Sequence, residues 1–336
     1  MADALCILIA TDAERKPDGP AIPHIYATQI EYLRRAGNKV HLFGVDDRTS
    51  PRGILRNIRE LRREAARLHP DLLVTYYGSM VAAISRIGAG RIPLVAAFRG
   101  SDLLGTSNPG WVWRLRDRLA RLLSLWAAAR ARQIIVNGSG LRLALPERLR
   151  PKAHNLPNGI DVALFCPAPR GDARHQLGWP PGEPVILFNA GIDSGQVVKN
   201  LPLAEAVVQQ LQASLPGVRL EKISSLSREA VALRMNASDC LLMTSLHEGS
   251  PDLVKEAMAC NLPVVSVPCG DVAERLAGVE PGGVAPYEAG ALAQLVEPIL
   301  RERRRSNGRE QLFQQGLDIP SVTRRVLEVY QAAAGK

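Results

Sequence analysis

This sequence predicts an α/β chain of two Rossmann-like, doubly wound parallel-sheet domains, and three observations predict it. Short apolar runs alternate with amphipathic helical segments along nearly the whole chain, the pattern of repeated βαβ units. A Pro- and Gly-rich stretch over 156–184 breaks that rhythm once, after which it restarts. The length of 336 residues is long for one core and suits two domains of about 150 residues each.

The first strand is expected at 5–10, an apolar run that follows Asp3 without a basic leader and so reads as sheet rather than secretory signal. A helix over 22–36 follows, with Tyr26, Ile30 and Leu33 on one side. Further strands are expected at 40–45, 72–77, 94–98 and 133–136, with helices between them. After the interruption strands resume at 185–189, 218–223, 240–244 and 263–267, and a terminal helix covers 321–334. The implied organisation is a first domain over 1–160, a second over 161–318 and a closing segment over 319–336. Two such domains facing one another would leave a cleft at the C-terminal ends of their strands.

Composition narrows the function. A hydrophobic fraction of 46% is ordinary for a soluble chain, and no apolar run reaches the roughly 18 residues of a membrane-spanning helix. Both favour a cytoplasmic location. The five cysteines, Cys6, Cys166, Cys240, Cys260 and Cys269, show neither CxxC spacing nor an even count, so free thiols are expected. The net charge is +9 and arginine supplies 35 of 42 basic residues, which favours anionic partners. The excess concentrates at 52–67 and 114–132, both helical by periodicity. Each can be a solvated helix face. The second segment lies among Trp111, Trp113 and Trp126, which also suits peripheral contact with an anionic membrane surface. Nucleic acid is disfavoured as a partner, because no helix-turn-helix, zinc-finger, RRM or KH pattern accompanies the charge. No D-x-D triplet occurs, so no metal ligands are expected.

The chemistry concentrates at 240–267. A buried strand runs into Gly249-Ser250-Pro251, then into a helix whose apolar stripe is Val254, Ala257 and Met258, and then into the next strand. A strand, a Gly-rich turn and a helix N-terminus gather free N–H groups and a positive dipole end at one spot. That combination suits an anion or a sugar hydroxyl. Glu248 on the turn and Glu256 on the helix can border one crevice, where a carboxylate accepting two hydroxyls would clamp a sugar. Standing alone, an E-x7-E pair would be read as two solvated charges.

The run EGSPDLVKEAMACNLPVVS, with Gly270-Asp271-Val272 after it, resembles the donor-site signature of the retaining GT-B glycosyltransferases of family 4, group 1. Its flavour is most similar to bacterial envelope polysaccharide enzymes of the teichuronic acid type. The resemblance implies the GT-B fold and a C-terminal helix that crosses back to the first domain. It implies transfer of a hexosyl or N-acetylhexosaminyl group from a nucleotide sugar, a UDP-sugar before a GDP-sugar, to a saccharide or lipid-linked acceptor. Glu256 would hold the ribose hydroxyls, Glu248 the donor sugar and Lys199 the diphosphate. Gly191, Gly249, Ser250 and Pro251 would bring backbone to the donor. The family is thought to retain configuration by front-face attack, the leaving phosphate taking the acceptor proton, so no protein nucleophile is required.

The chain departs from the family pattern in places. Ile192 stands where a diphosphate-gripping arginine is usual, which implies weaker donor affinity or calls for another cation to compensate. Arg99-Gly100-Ser101-Asp102 is similar to a His-Gly-Ser-Asp segment near the sugar, with arginine replacing histidine; Asp102 would orient an acceptor hydroxyl or serve the turn. Gly19 matches the first of two loop glycines, but Pro20 replaces the second, and His24 has a counterpart near the acceptor. Asn158-Gly159-Ile160-Asp161 is a turn in which Gly159 can take a positive φ, and it resembles the interdomain segment. Two other functions fit the same scaffold, a sugar-nucleotide 2-epimerase and a non-catalytic nucleotide-sugar-binding partner subunit.

Overall fold

The computed structural model describes residues 4–13, 24–105, 110–191 and 195–336. The chain divides into two compact units, Met1–Gly159 with Ile319–Lys336, and Ile160–Asp318. Among the described residues no helix is long and apolar enough to cross a membrane. All five cysteines are free thiols.

The first unit holds strands β1 (Cys6–Thr11), β2 (Lys39–Gly44), β3 (Leu72–Tyr76), β4 (Leu94–Phe98), β5 (Gln133–Val136) and β6 (Ala153–Asn155). They form one parallel sheet in the order β2-β1-β3-β4-β5-β6. Every residue of β3 and β4 is buried, as expected of strands covered on both faces. One face packs on Leu61, Val81, Ile84 and Ala128 from three helices. The other packs on Ile30 and Leu33 of helix His24–Arg35 and on the terminal helix Ile319–Ala334. Val322, Val326, Val329, Tyr330 and Ala333 recur on one side of that helix at helical spacing, so its apolar stripe faces the sheet. Its end is fixed by an Arg132 Nη1 bond to the Ala333 carbonyl, 3.2 Å, and by a Lys336–Asp71 ion pair, 2.9 Å.

The second unit holds β7 (Val185–Asn189), β8 (Arg219–Ile223), β9 (Cys240–Met243), β10 (Val264–Ser266) and β11 (Gly282–Val284). These are also parallel, in the order β11-β10-β9-β7-β8. Two Rossmann-like parallel-sheet domains are thus present, the GT-B pair of folds. Strands β6 and β11 escaped the sequence reading because each has three residues, and Ala-His-Asn and Gly-Gly-Val lack the apolar run that marks a strand. Arg309 ties the start of this unit to its core, donating to the carbonyls of Val162, Phe165 and Ala259, each at 2.9 Å.

In the second sheet the strand order reverses between β7 and β9. Connections leave those neighbours in opposite directions, so a crevice opens outside their C-terminal ends. The chain there supplies polar side chains and glycines in place of apolar ones.

Candidate functional site

Two adjoining cavities lie at that reversal. One, of about 280 Å3, is lined by Asn189 from β7, Met243 from β9, Thr244, Lys199, Glu248 and Pro251, and reaches Glu256. The second, of about 270 Å3, is lined by Phe165, Ser224, Ser225, Leu226 and Arg228. Asn189, Leu253 and Glu256 line both. Glu256 therefore stands between the two chambers, with a cation in each.

The first chamber is built by three short segments. Lys199 ends helix Gly195–Lys199, and the next residue, Asn200, takes a left-handed φ of 55° that turns the chain into helix Leu201–Gln212. Thr244 fixes this corner, its hydroxyl donating to the carbonyls of Lys199 at 2.8 Å and Asn200 at 3.0 Å. Lys199 Nζ then reaches Glu248 Oε1 at 2.5 Å, with both side chains about one-fifth exposed at 21% and 19%. A pair with that much solvent contact can rearrange toward a ligand at small cost.

The turn carrying Glu248 is held from the next loop. Asp271 N donates to Gly249 O at 3.0 Å, and Gly270 lies against the same carbonyl. Gly270 has φ +58°, and a Cβ there would stand 2.4 Å from Gly249 O and 3.0 Å from Glu248 O. Only glycine permits that approach. Ser250 is buried, and Pro251 takes an extended conformation immediately before helix Asp252–Ala259, where a proline costs no helical hydrogen bond.

Glu256 is the electrostatic centre. It lies on the buried face of its helix at 5% exposure and pairs with Arg228 Nη2 at 2.9 Å. Burial pushes its carboxyl up to about 7, against the pull of Arg228 and Lys255 and with the help of Asp252. Arg228 stacks over the Phe165 ring at 4.9 Å, and its Nε is buried without a hydrogen-bond partner. The sequence reading missed Arg228. Its signal was present: Ser227 caps helix Arg228–Ala237, accepting from Ala230 N at 3.2 Å, and that cap aims the first helical residue at the crevice.

Gly191, at φ +72°, follows β7; its N–H donates to Asn189 Oδ1 at 3.0 Å and its carbonyl accepts from Ser224 Oγ at 2.6 Å. The backbone thereby links the ends of β7 and β8 at the rim of the second chamber. Gly19, Pro20 and Ile192 lie outside the described residues. His24 opens helix His24–Arg35, and its side chain also lies outside what the structure describes.

The first unit treats its expected site residues differently. Asp102 was expected to orient an acceptor hydroxyl or to serve the turn, and its carboxylate serves the turn. It is 1% exposed and accepts from the backbone N–H groups of Gly78, Arg99 and Gly100, at 2.9 to 3.1 Å. Burial holds its pKa above the ordinary carboxylate value, against those donors. Arg99 lies over the rings of Tyr26 at 4.9 Å and Tyr76 at 5.3 Å, and Nη1 donates to Asn158 Oδ1 at 2.7 Å. Gly159 does not adopt the positive φ that its turn allowed; the turn is organised through Asn158.

Comparison with known proteins places these features in context. The model described as Glycosyltransferase Family 4 matches residues 23–164, and that described as Glycosyl transferases group 1 matches residues 200–302. A GDP-mannose-dependent alpha-mannosyltransferase of Mycobacterium tuberculosis is 24% identical over 307 residues, covering 84% of this chain and 76% of that protein. Among solved structures, sucrose-phosphate synthase from Thermosynechococcus elongatus superposes with a TM-score of 0.75 at 18% identity, over 98% of this chain and all of the other. HepE of Anabaena, in complex with UDP and glucose, gives 0.69 at 16% identity, over 97% of this chain and 100% of that one.

Proposed function

The chain belongs to the family 4, group 1 glycosyltransferases, and from that premise we propose that it moves a hexosyl group from a nucleoside diphosphate sugar to a saccharide or lipid-linked acceptor, retaining configuration and without a metal. The observation that carries the reading is the pair of cavities sharing Glu256, one holding Lys199 and Glu248 and the other Arg228. A nucleotide sugar has the matching sequence of groups: a base and ribose, two phosphates, then a polyol.

In this reading Glu256 accepts the ribose hydroxyls, and the 224–226 segment takes the base. Arg228, paired with the Glu256 carboxylate, adds a second cation where the usual arginine at Ile192 is lost. Lys199 exchanges part of its pairing with Glu248 for the diphosphate, and Glu248 turns to the sugar hydroxyls. The acceptor oxygen bonds to C1 as the C1–O bond to phosphate breaks, and the acceptor proton passes to the leaving phosphate oxygen. Positive charge from Lys199 and the N-terminus of helix Asp252–Ala259 stabilises the phosphate as it departs. In this reading Lys199 and Arg228 supply the charge that a metal would.

The mannosyltransferase relative supports a hexose over an N-acetylhexosamine, and GDP then competes with UDP as the donor base. The epimerase and partner-subunit readings are not favoured: both family models and the sequence relatives are of glycosyltransferases. The first test is thermal unfolding with UDP, GDP, ADP and their hexose conjugates. A ligand at about 100 times its Kd adds roughly 2.7 kcal/mol of stability, a rise of order 2–4 °C for a chain of this size. One nucleotide sugar is expected to give that shift, and Glu256→Ala to abolish it. Stabilisation by none would overturn the reading, and loss of transfer on EDTA treatment would overturn the metal-free mechanism. The anomeric configuration of the product, read by NMR, tests retention.

A further inference from the structure

We propose that the outward face of helix Trp111–Arg130 in the first unit is a docking surface for an anionic lipid bilayer. This helix is amphipathic in the inverted sense. Ser124, Ala127 and Ala128, all small, are the residues it buries against its own unit. Trp111, Leu115, Leu119, Leu122 and Trp126 recur at spacings of four, four, three and four residues, and with Val112 they form one stripe about 100° wide on the opposite side. Apart from half-buried Trp126, that stripe is open to solvent: Trp111 is 76% exposed, Leu115 60%, Leu119 54% and Leu122 64%. A soluble helix turns such a stripe inward.

Charge selects the occupant. Arg114, Arg118 and Arg121 flank the stripe on one side and Arg116 and Arg130 on the other, while Asp117 is the helix's single acidic residue. Two copies packed stripe to stripe would bring these arginine flanks together, so self-association is opposed by like charge. A nucleic acid backbone would satisfy the arginines and leave the tryptophans and leucines in water. An anionic bilayer satisfies both sets, the apolar stripe entering the acyl boundary and the guanidinium groups remaining at the phosphates. The basic helix Pro51–Leu68 packs on the same face of the sheet and exposes Arg59, Arg62 and Arg63, which widens the positive field toward such a surface. The inference stands on the first unit alone and does not depend on the donor reading.

The test is sedimentation of the full chain with vesicles of phosphatidylcholine alone and of phosphatidylcholine with phosphatidylglycerol, with tryptophan emission recorded in a Trp179→Phe background. Binding is expected to the anionic vesicles, to weaken with salt, and to shift the emission of the stripe residues Trp111 and Trp126 to the blue. Leu115→Ser with Leu119→Ser abolishes it, leaving the circular dichroism and any nucleotide-induced thermal shift unchanged, since both side chains are exposed. Removing Arg114, Arg118 and Arg121 as glutamines weakens binding about fivefold each. Three results would overturn the proposal: no partition to anionic vesicles, partition that the leucine variant leaves intact, or a dimer in size-exclusion chromatography that the leucine variant converts to monomer.

Discussion

Strand β9 has charged pairs beside both of its ends, and the two ends use them differently. At the N-terminal end Asp239 accepts from Arg174 at 2.8 Å, from Arg170 and from the Val185 amide. Arg174 completes its own set with the carbonyls of Pro180, Pro181, Glu183 and Ala237. The side chains of this pair are 2% and 0% exposed, and nothing could enter between them. At the C-terminal end Lys199, Glu248, Glu256 and Arg228 pair in twos and border open cavities. The same residue types, one strand length apart, form a closed structural clamp and an adjustable receptor. What separates them is whether every donor and acceptor already has a fixed partner.

The largest effects should break the two ends apart. Removing one partner of a buried ion pair costs about 3–5 kcal/mol, so Arg174→Met should lower the urea midpoint severely while the folded fraction keeps its nucleotide affinity. Lys199→Ala should do the reverse. Its partly exposed pair contributes at most about 1 kcal/mol to stability, whereas losing one preorganised cation at a developing phosphate charge costs about 10²–10³ in kcat/KM. Steady-state kinetics beside denaturant titration of both variants makes the comparison. If Lys199→Ala proves as destabilising as Arg174→Met, the C-terminal end is a second structural clamp.

A smaller effect sharpens how the receptor is supported. Gly270→Ala would force its Cβ onto Gly249 O from a left-handed backbone. Strain of this kind costs about 1–3 kcal/mol, and here relief requires moving the turn that carries Glu248. The donor KM is expected to rise with little change at Arg174. Asp102→Asn is the matched control in the first unit. It should lose about 1–3 kcal/mol of stability, because a buried carboxylate serving three amides is replaced by a group with one oxygen, and nucleotide affinity should not change.

How much of this was legible beforehand follows from which interactions are local. The long strands were readable, because runs such as Leu-Val-Ala-Ala-Phe at β4 bury every residue and need no partner to be recognised. The turn of Gly249, Ser250 and Pro251 with its two glutamates was readable for the same reason, lying within one strand-turn-helix unit. Arg228 and Gly270 were not, since each reaches the site from a separate loop and acts only through contact across the fold. Asp102 looked alike in sequence as an acceptor residue and as a turn organiser. In the structure its carboxylate closes on the Gly78 amide, 24 residues upstream, a contact that no local pattern announces.

The smallest expected effect is also the most specific. Glu256, with its carboxyl at about 7 in the folded protein, is mostly neutral at pH 6 and mostly ionised at pH 8. Hydroxyl donors favour the anion, so nucleotide affinity should rise about tenfold across that interval. Stability should run the other way. A carboxyl whose folded pKa lies above its unfolded value loses stabilisation as pH rises through the window from about 4.5 to 7, because folding then requires burying the charge. Calorimetric titration of nucleotide and thermal unfolding, both from pH 5.5 to 8.5, should therefore give opposite slopes. Glu256→Gln should flatten both. A flat affinity profile in the unsubstituted protein would mean that the ligand does not touch this carboxylate. The clamp at Asp239 offers the contrast: its partners are fixed, its side chain is fully buried, and Arg174→Met should leave the slope of the affinity profile unchanged.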